Sequence, residues 1–183
     1  NPARVQDGFE DVGALPKLAP KVEVDEVILQ KVPEGAENIK FNFQGFDFDG
    51  LSVFSPEELQ TAFTDKINTT ITLADVYAMA TALTNKYRNE GYILSQVVVP
   101  PQTIETGTVK LRVVEGFIAN ITVEGEERGD SLDQIRKFTN GIDRSKALNV
   151  KDLERTLLLI NDLAGVTARS VLSPSVDTPG ASD

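Results

Sequence analysis

No histidine and no cysteine occur anywhere in the 183 residues, and together these two absences remove most familiar catalytic chemistry. Without them there is no Ser-His-Asp or Cys-His nucleophile and no zinc site built on His or Cys. The lack of cysteine also excludes disulfides and leaves the redox compartment open. No apolar run approaches the roughly 18 residues of a membrane helix. Basic residues are short as well, with 18 Lys and Arg against 28 Asp and Glu and a net charge of −10. That balance argues against nucleic acid, whose affinity comes from counterions released at basic contacts. What is present, 40% apolar and 25% charged residues, is the composition of a soluble globular chain.

The most apolar and β-branched stretch is Gly91-Tyr92-Ile93-Leu94-Ser95-Gln96-Val97-Val98-Val99-Pro100-Pro101-Gln102. A helical pattern ends just before it, so Gly91 suits the left-handed cap position, where the missing Cβ removes the steric cost. Pro100 and Pro101 cannot continue a ladder, which ends a strand near Val99. From Gly107 the alternation resumes through Val109, Leu111 and Val113. The pattern predicts a helix followed by a hairpin.

Upstream, residues 1–36 carry Pro2, Pro16, Pro20 and Pro33 among scattered charges, and they read as a tail or linker. Only Val22 to Leu29 has the apolar content of a short ordered piece. Ile39, Phe41 and Phe43 alternate with polar residues, and the phase slips at Gly45 before Phe46 and Phe48, as one strand with a bulge would require. Ser55-Pro56-Glu57-Glu58 is a helix start, with serine as N-cap, proline at the first helical position and a glutamate placed to reach back. Leu59, Phe63 and Ile67 supply its apolar face. Thr72-Leu73-Ala74-Asp75 starts a second helix, with Val76, Ala80, Leu83 and Tyr87 as the buried stripe.

The punctuation then recurs. Gly50 has its counterpart in Gly125, the cap at Ser55 in Ser131-x-x-Gln134, the cap at Thr72 in Asn149-x-x-Asp152, Gly91 in Gly165 and Pro100 in Pro174. The spacing is about 75 residues each time, an internal repeat. Leu132, Ile135 and Phe138 stripe one helix of the second copy, and Leu153, Leu157 and Ile160 the next, with Leu158, Leu159 and Leu163 widening that face. Val166 to Leu172 reads as its second strand. Its third strand should follow Gly180, so the second copy is expected to be truncated, its two strands marginal unless one pairs elsewhere.

Six motifs carry a resemblance: Val53-Phe54-Ser55-Pro56-Glu57-Glu58-Leu59, Thr72-Leu73-Ala74-Asp75, Tyr87-Arg88-x-x-Gly91-Tyr92, Val99-Pro100-Pro101-Gln102, Val113-Val114-Glu115-Gly116, and Leu153-Glu154-Arg155 with Leu157-Leu158-Leu159-x-Asn161-Asp162. Together they resemble two tandem polypeptide-transport-associated (POTRA) domains of the outer-membrane transporters of two-partner secretion. The resemblance implies an α+β fold: two β-α-α-β-β units, each a three-stranded mixed sheet with two helices on one face, the last strand of the second copy missing or truncated. It divides the chain into a tail at 1–36 and domains at 37–116 and 117–183. It implies a periplasmic, non-enzymatic receptor without cofactor or metal, capturing an unfolded secreted exoprotein for an outer-membrane β-barrel that follows in the same chain. The periplasmic part of a β-barrel assembly or chloroplast-type import pore, built from the same domain, is the alternative. A carboxylate-based hydrolase is weaker, because it needs two acids about 5 to 9.5 Å apart and no spacing singles out a pair.

Ile93, Leu94, Ser95, Gln96, Val97, Val98 and Val99 carry apolar residues on both faces, which fits either a buried strand or an edge able to take an extended client by β-augmentation. The matching strand of the second copy offers Val166, Thr167, Arg169, Ser170 and Leu172. Glu115 and Gly116 mark the domain junction, where Glu115 either accepts backbone N–H groups from the next domain or faces water. Asp47-Phe48-Asp49-Gly50 is a turn rather than a calcium loop, lacking the later ligands. Glu126 and Glu127 read as solvated loop acids.

Overall fold

The computed structural model describes residues 22–24, 30–123, 131–142, 144, 146–163, 166–172 and 181–182. In chain order the first strands are β1 (Val22–Val24), β2 (Lys40–Asn42), β3 (Gly45–Asp49), β4 (Thr70–Thr72), β5 (Gln96–Val98) and β6 (Thr108–Val114), and in the first copy β3, β6 and β5 form a mixed sheet with β6 in the middle. β3 runs parallel to β6 and β5 antiparallel to it. Along β6, Val109, Leu111 and Val113 are buried while Thr108, Lys110 and Arg112 are exposed, the alternation of a sheet with one covered face. The covering elements are α1 (Pro56–Thr61) and α2 (Leu73–Asn89). Val76, Ala80, Leu83 and Tyr87 of α2 are all buried, in one core with Phe43, Phe46 and Leu59.

The start of α2 forms as its sequence dictates. Asp75 N–H donates to the Thr72 hydroxyl and Thr72 N–H donates to the Asp75 carboxylate, a complete capping box. Its end is a Schellman turn: Gly91 takes φ 98, Gly91 N–H donates to Arg88 O and Tyr92 N–H to Tyr87 O, each at 2.9 Å. At α1 the box is half made, since Glu58 N–H donates to Ser55 Oγ at 3.2 Å while the Glu58 carboxylate pairs with Lys86 at 3.0 Å.

Two local expectations give way. The single bulged strand before Gly50 is two strands, β2 (Lys40–Asn42) antiparallel to β4 (Thr70–Thr72), and β3 in the main sheet. The chain changes partner at Phe43 and Gln44, whose N–H groups donate to Thr69 O and Gly107 O. The first helix also stops at Thr61 and continues as a 3₁₀ turn, Thr64–Lys66. The Thr61 and Thr64 hydroxyls bond back to the carbonyls of Glu57 and Thr61, the side-chain competition that disfavours helix continuation. Phe63 and Ile67 still pack on the core.

In the second copy β7 (Phe117–Ile118) follows β6 across Glu115 and Gly116 alone and pairs in parallel with β9 (Ala181–Ser182), as β3 pairs with β6. The third strand expected after Gly180 is therefore present at Ala181–Ser182. α3 spans Ser131–Asn140 and α4 spans Val150–Asn161. Ser131 is itself helical, one position inside where an N-cap would stand. Leu153, Leu157 and Ile160 are buried as expected, whereas Leu158 and Leu159 stand 51% and 44% exposed and do not widen the buried face. The remaining strand, β8 (Ser170–Leu172), pairs in parallel with β1 (Val22–Val24). A segment assigned to the tail thus supplies the partner of β8, and among the described residues the second copy has two separate two-stranded pairings, β1 with β8 and β7 with β9, in place of the expected three-stranded sheet. Gly125, Gly165 and Pro174, which anchor parts of the repeat, lie outside the described residues.

Candidate functional site at the strand edges

Sheet order places β5 at an edge, yet the groups it turns outward are already engaged. Val97 N–H donates to the Thr84 hydroxyl at 3.0 Å, and that hydroxyl donates to Ala80 O at 3.0 Å. Thr84 is buried, so α2 itself serves this position. At Val99 the partner is Gln30, which accepts from Val99 N–H with Oε1 and donates from Nε2 to Val99 O, both at 2.7 Å. One carboxamide thereby makes the two bonds that a neighbouring strand would make.

The residues singled out on this stretch separate into two groups. Gln96, Val97 and Val98 form β5, with Val99 at its end; Ile93, Leu94 and Ser95 do not belong to the strand. The Schellman turn at Gly91 and the bond from Ser95 N–H to Tyr92 O bend the chain first. Ile93 and Leu94 then pack into the core of the second copy with Ile118, Ile142 and Leu148. Their apolar character on two faces reflects two cores. Ser95 is fully buried.

On the second copy Ser170 and Leu172 lie in β8, whereas Val166, Thr167 and Arg169 precede it. The strand is short because Asn161 of α4 engages Ala168, accepting from its N–H at 2.5 Å and donating to its carbonyl at 3.3 Å. Leu172 is buried and Val171, absent from the sequence-derived set, is 53% exposed.

At the junction, Glu115 accepts from Ser52 N–H and Val53 N–H at 3.0 Å each, from Tyr87 OH at 2.9 Å, and from the Ser52 hydroxyl. The backbone donors come from its own copy, not from the next one, so it clamps the loop before α1. Burial raises its carboxyl, but the bonds from Ser52, Val53 and Tyr87 outweigh burial and hold it below the usual carboxylate range. Burial, with the adjacent Glu115 carboxylate, pushes the Tyr87 phenol well up. Gly116 lies so close to Leu94 that a Cβ would collide with its backbone and side chain. The two copies are tied directly: Leu148 N–H donates to Gly116 O and Val150 N–H to Gly91 O at 2.8 Å, and Asn149 Nδ2 donates to Glu90 O at 3.0 Å. A cleft of about 740 Å³ lies alongside, lined by Tyr92, Phe138, Ile142, Lys146 and Arg155.

Among the described residues no cluster of His, Cys, Asp or Glu is arranged to hold a metal, and no helix is long and apolar enough to cross a membrane. Glu126 and Glu127 lie outside the described residues. Sequence reasoning missed Thr84 and Gln30 as edge partners. The apolar content of Val22 to Leu29 signalled a short ordered piece, of which Val22–Val24 is strand, but nothing near Gln30 distinguishes it from other polar linker residues.

Residues 41–116 match the family model described as POTRA domain, ShlB-type. The chain is 28% identical over 117 residues to the heme/hemopexin transporter protein HuxB of Haemophilus influenzae strain 86-028NP, covering 64% of this chain and 21% of that protein. It is 27% identical over 135 residues to the outer membrane transporter CdiB of Escherichia coli O6:K15:H31 strain 536, covering 70% and 22%. The chain thus spans about a fifth of the length of the curated relatives it matches. In fold it is similar to CdiB from Escherichia coli, with TM-score 0.67 and 24% identity over 85% of this chain and 28% of that one. It is also similar to the N-terminal domain of Omp85 from Thermosynechococcus elongatus, with TM-score 0.59 and 23% identity over 78% and 63%.

Proposed function

We propose that this chain, whose residues 41–116 match the family model described as POTRA domain, ShlB-type, is the periplasmic polypeptide-binding region of an outer-membrane transporter of the two-partner secretion kind. Its domains divide at residues 37–116 and 117–183, behind a leading segment 1–36. It captures an extended secreted exoprotein and hands it to a membrane β-barrel, with no catalytic step. HuxB is named a transporter of heme/hemopexin and CdiB an outer membrane transporter, and a region of polypeptide capture suits such proteins.

The observation that carries this reading is at β8, whose partner among the described residues is an extended segment from outside the second copy, β1, in parallel register. Augmentation of that kind draws affinity from main-chain bonds and selectivity from alternate side chains. The capture surface we propose is β8 with its flank, Val166, Thr167, Arg169, Ser170, Val171 and Leu172, together with Val99 at the end of β5. Ile93, Leu94 and Gly116 lie where the two copies meet, and Glu115 holds the loop before α1.

Fluorescence titration with the amino-terminal fragment of a candidate exoprotein tests this. Saturable binding is expected, weakened in Ser170→Pro or Val171→Pro chains that keep the parent's circular dichroism and unfolding cooperativity, since proline removes a ladder donor. Parent-like affinity in both folded variants would exclude capture at this edge.

A further inference from the structure

The cleft beside the junction is built from both copies. Ser52, Val53 and Tyr92 come from the first, while α3, α4 and the loop between them supply the rest of the lining. Both walls are held. Glu115 fixes one by accepting from Ser52 N–H and Val53 N–H at 3.0 Å, and the other is anchored where Leu148 N–H donates to Gly116 O and Val150 N–H to Gly91 O. A volume of about 740 Å³ falls among ligand sites of roughly 300–1,000 Å³, and walls already fixed leave little ordering to accompany binding.

The charge of the cleft is the inverse of the chain's. Against a net charge of −10, its described lining offers Lys137, Lys146 and Arg155 with Asp152 as the one acid. Lys137 and Arg155 are exposed, and neither makes an ion pair among the described residues. Beside these cations Tyr92 and Phe138 are half-buried and Leu159 stands 44% exposed, so apolar surface and positive charge face the same space. The start of α4 adds no further anion site, because Asn149 Oδ1 already accepts from Lys151 N–H at 3.0 Å and Asp152 occupies that first turn. A doubly charged phosphate would meet a used cap and a carboxylate. One carboxylate next to one apolar side chain matches what the cleft presents.

We propose that this cleft binds an acidic stretch of extended polypeptide: an Asp or Glu carboxylate of the ligand pairs with Arg155 and Lys137, and an apolar neighbour packs on Phe138, Tyr92 and Leu159. Arginine receives a carboxylate through two parallel N–H bonds. An acidic segment is repelled by the chain's overall charge, which makes this local reversal the place where it docks. The inference rests on the capture role proposed above, which makes the ligand a polypeptide, and it adds a contact away from the strand edges.

The test titrates the full chain with a fluorescein-labelled synthetic peptide, Gly-Ser-Asp-Phe-Asp-Leu-Ser-Gly, and with the same peptide carrying Asn in place of both Asp. Saturable binding of the acidic peptide is expected, with the Asn peptide about tenfold weaker. The chain with Lys137→Gln and Arg155→Gln together should lose a similar factor. A charge-matched control, Lys40→Gln with Lys110→Gln at two exposed positions, should bind as the parent does. Amide shifts on binding should gather at Gly141, Ile142 and Leu148. Parent-like affinity in the folded double variant overturns the inference, as does equal binding of the two peptides or a set of shifts confined to Val99 and Ser170–Leu172. Stronger displacement by phosphatidylglycerol vesicles than by unlabelled acidic peptide gives the cleft to a lipid headgroup and also overturns it. If the peptide fails while an exoprotein fragment still binds and is weakened by Ser170→Pro, the cleft alone is wrong; if the peptide binds and the fragment does not, the capture role is wrong and the cleft stands.

Discussion

The first copy closes its edge with one side chain of its own, Thr84 of α2 at Val97, and one carboxamide of the leading segment, Gln30 at Val99, whereas the second copy has a whole strand of that segment laid along β8. Their cores differ in the same sense. Phe46 meets Phe43 and Phe63 edge-on, with ring centroids 4.8 and 5.8 Å apart, and Phe54 meets Tyr87 edge-on at 4.7 Å, so the first core is filled from within. The second core is aliphatic and draws in Ile93 and Leu94 from the first copy. Similar sequence punctuation therefore does not imply equal independence: the first copy fills its own core and borrows one carboxamide at its edge, and the second is completed by its neighbours.

The largest effect should expose that dependence. Leu83→Ala, in the first core, should cost about 2–5 kcal/mol and, by loosening the platform under Ile93 and Leu94, should speed hydrogen exchange in both copies. Leu157→Ala should cost a similar amount and loosen α4 and β8 while leaving α2 and β6 protected. Exchange confined to the first copy in Leu83→Ala would break the asymmetry.

Next comes the Glu115 clamp. Glu115→Ala leaves Ser52 N–H, Val53 N–H and Tyr87 OH without their acceptor and should cost about 1–3 kcal/mol in urea unfolding. Because the folded carboxyl titrates below its ordinary value of 4.5, its contribution is fully present above that pH and is lost as pH falls through the lower folded value. Asp75, lowered by the backbone N–H and then the hydroxyl of Thr72, adds in the same direction. The parent should lose stability more steeply than Glu115→Gln on acidification from that point; parallel curves would exclude the clamp.

The smallest effects are the caps. Thr72→Ala, which breaks a complete box, should cost about 0.5–2 kcal/mol. Ser55→Ala, which removes the one bond of a half-made box, should fall at the lower end. Denaturation midpoints that reverse this order would contradict the hydrogen bonding at α1 and α2.

Short-range chemistry was legible in the sequence. The cap at Thr72, the turn at Gly91, the alternation of β6 and the buried stripe of α2 each follow from residues within a few positions of one another. The misread places are those where partners are distant in sequence. Ile93 and Leu94 look like strand residues until the second core is there to receive them. Gly45 looks like a bulge because β2 and β3 share a phase slip but not a sheet. Gln30 is one polar linker residue among several, and only the Val99 backbone at 2.7 Å gives it a role. Glu115 was ambiguous because its donors, Ser52 and Val53, are far upstream.

The most direct measurement is hydrogen–deuterium exchange of the full chain with and without a saturating exoprotein fragment, followed at Val99 and at Ser170–Leu172. If these edges capture polypeptide, exchange at both should change on binding while α2 and β6 keep their protection. A fragment that binds and leaves exchange at Val99 and Ser170–Leu172 unchanged would contradict the account.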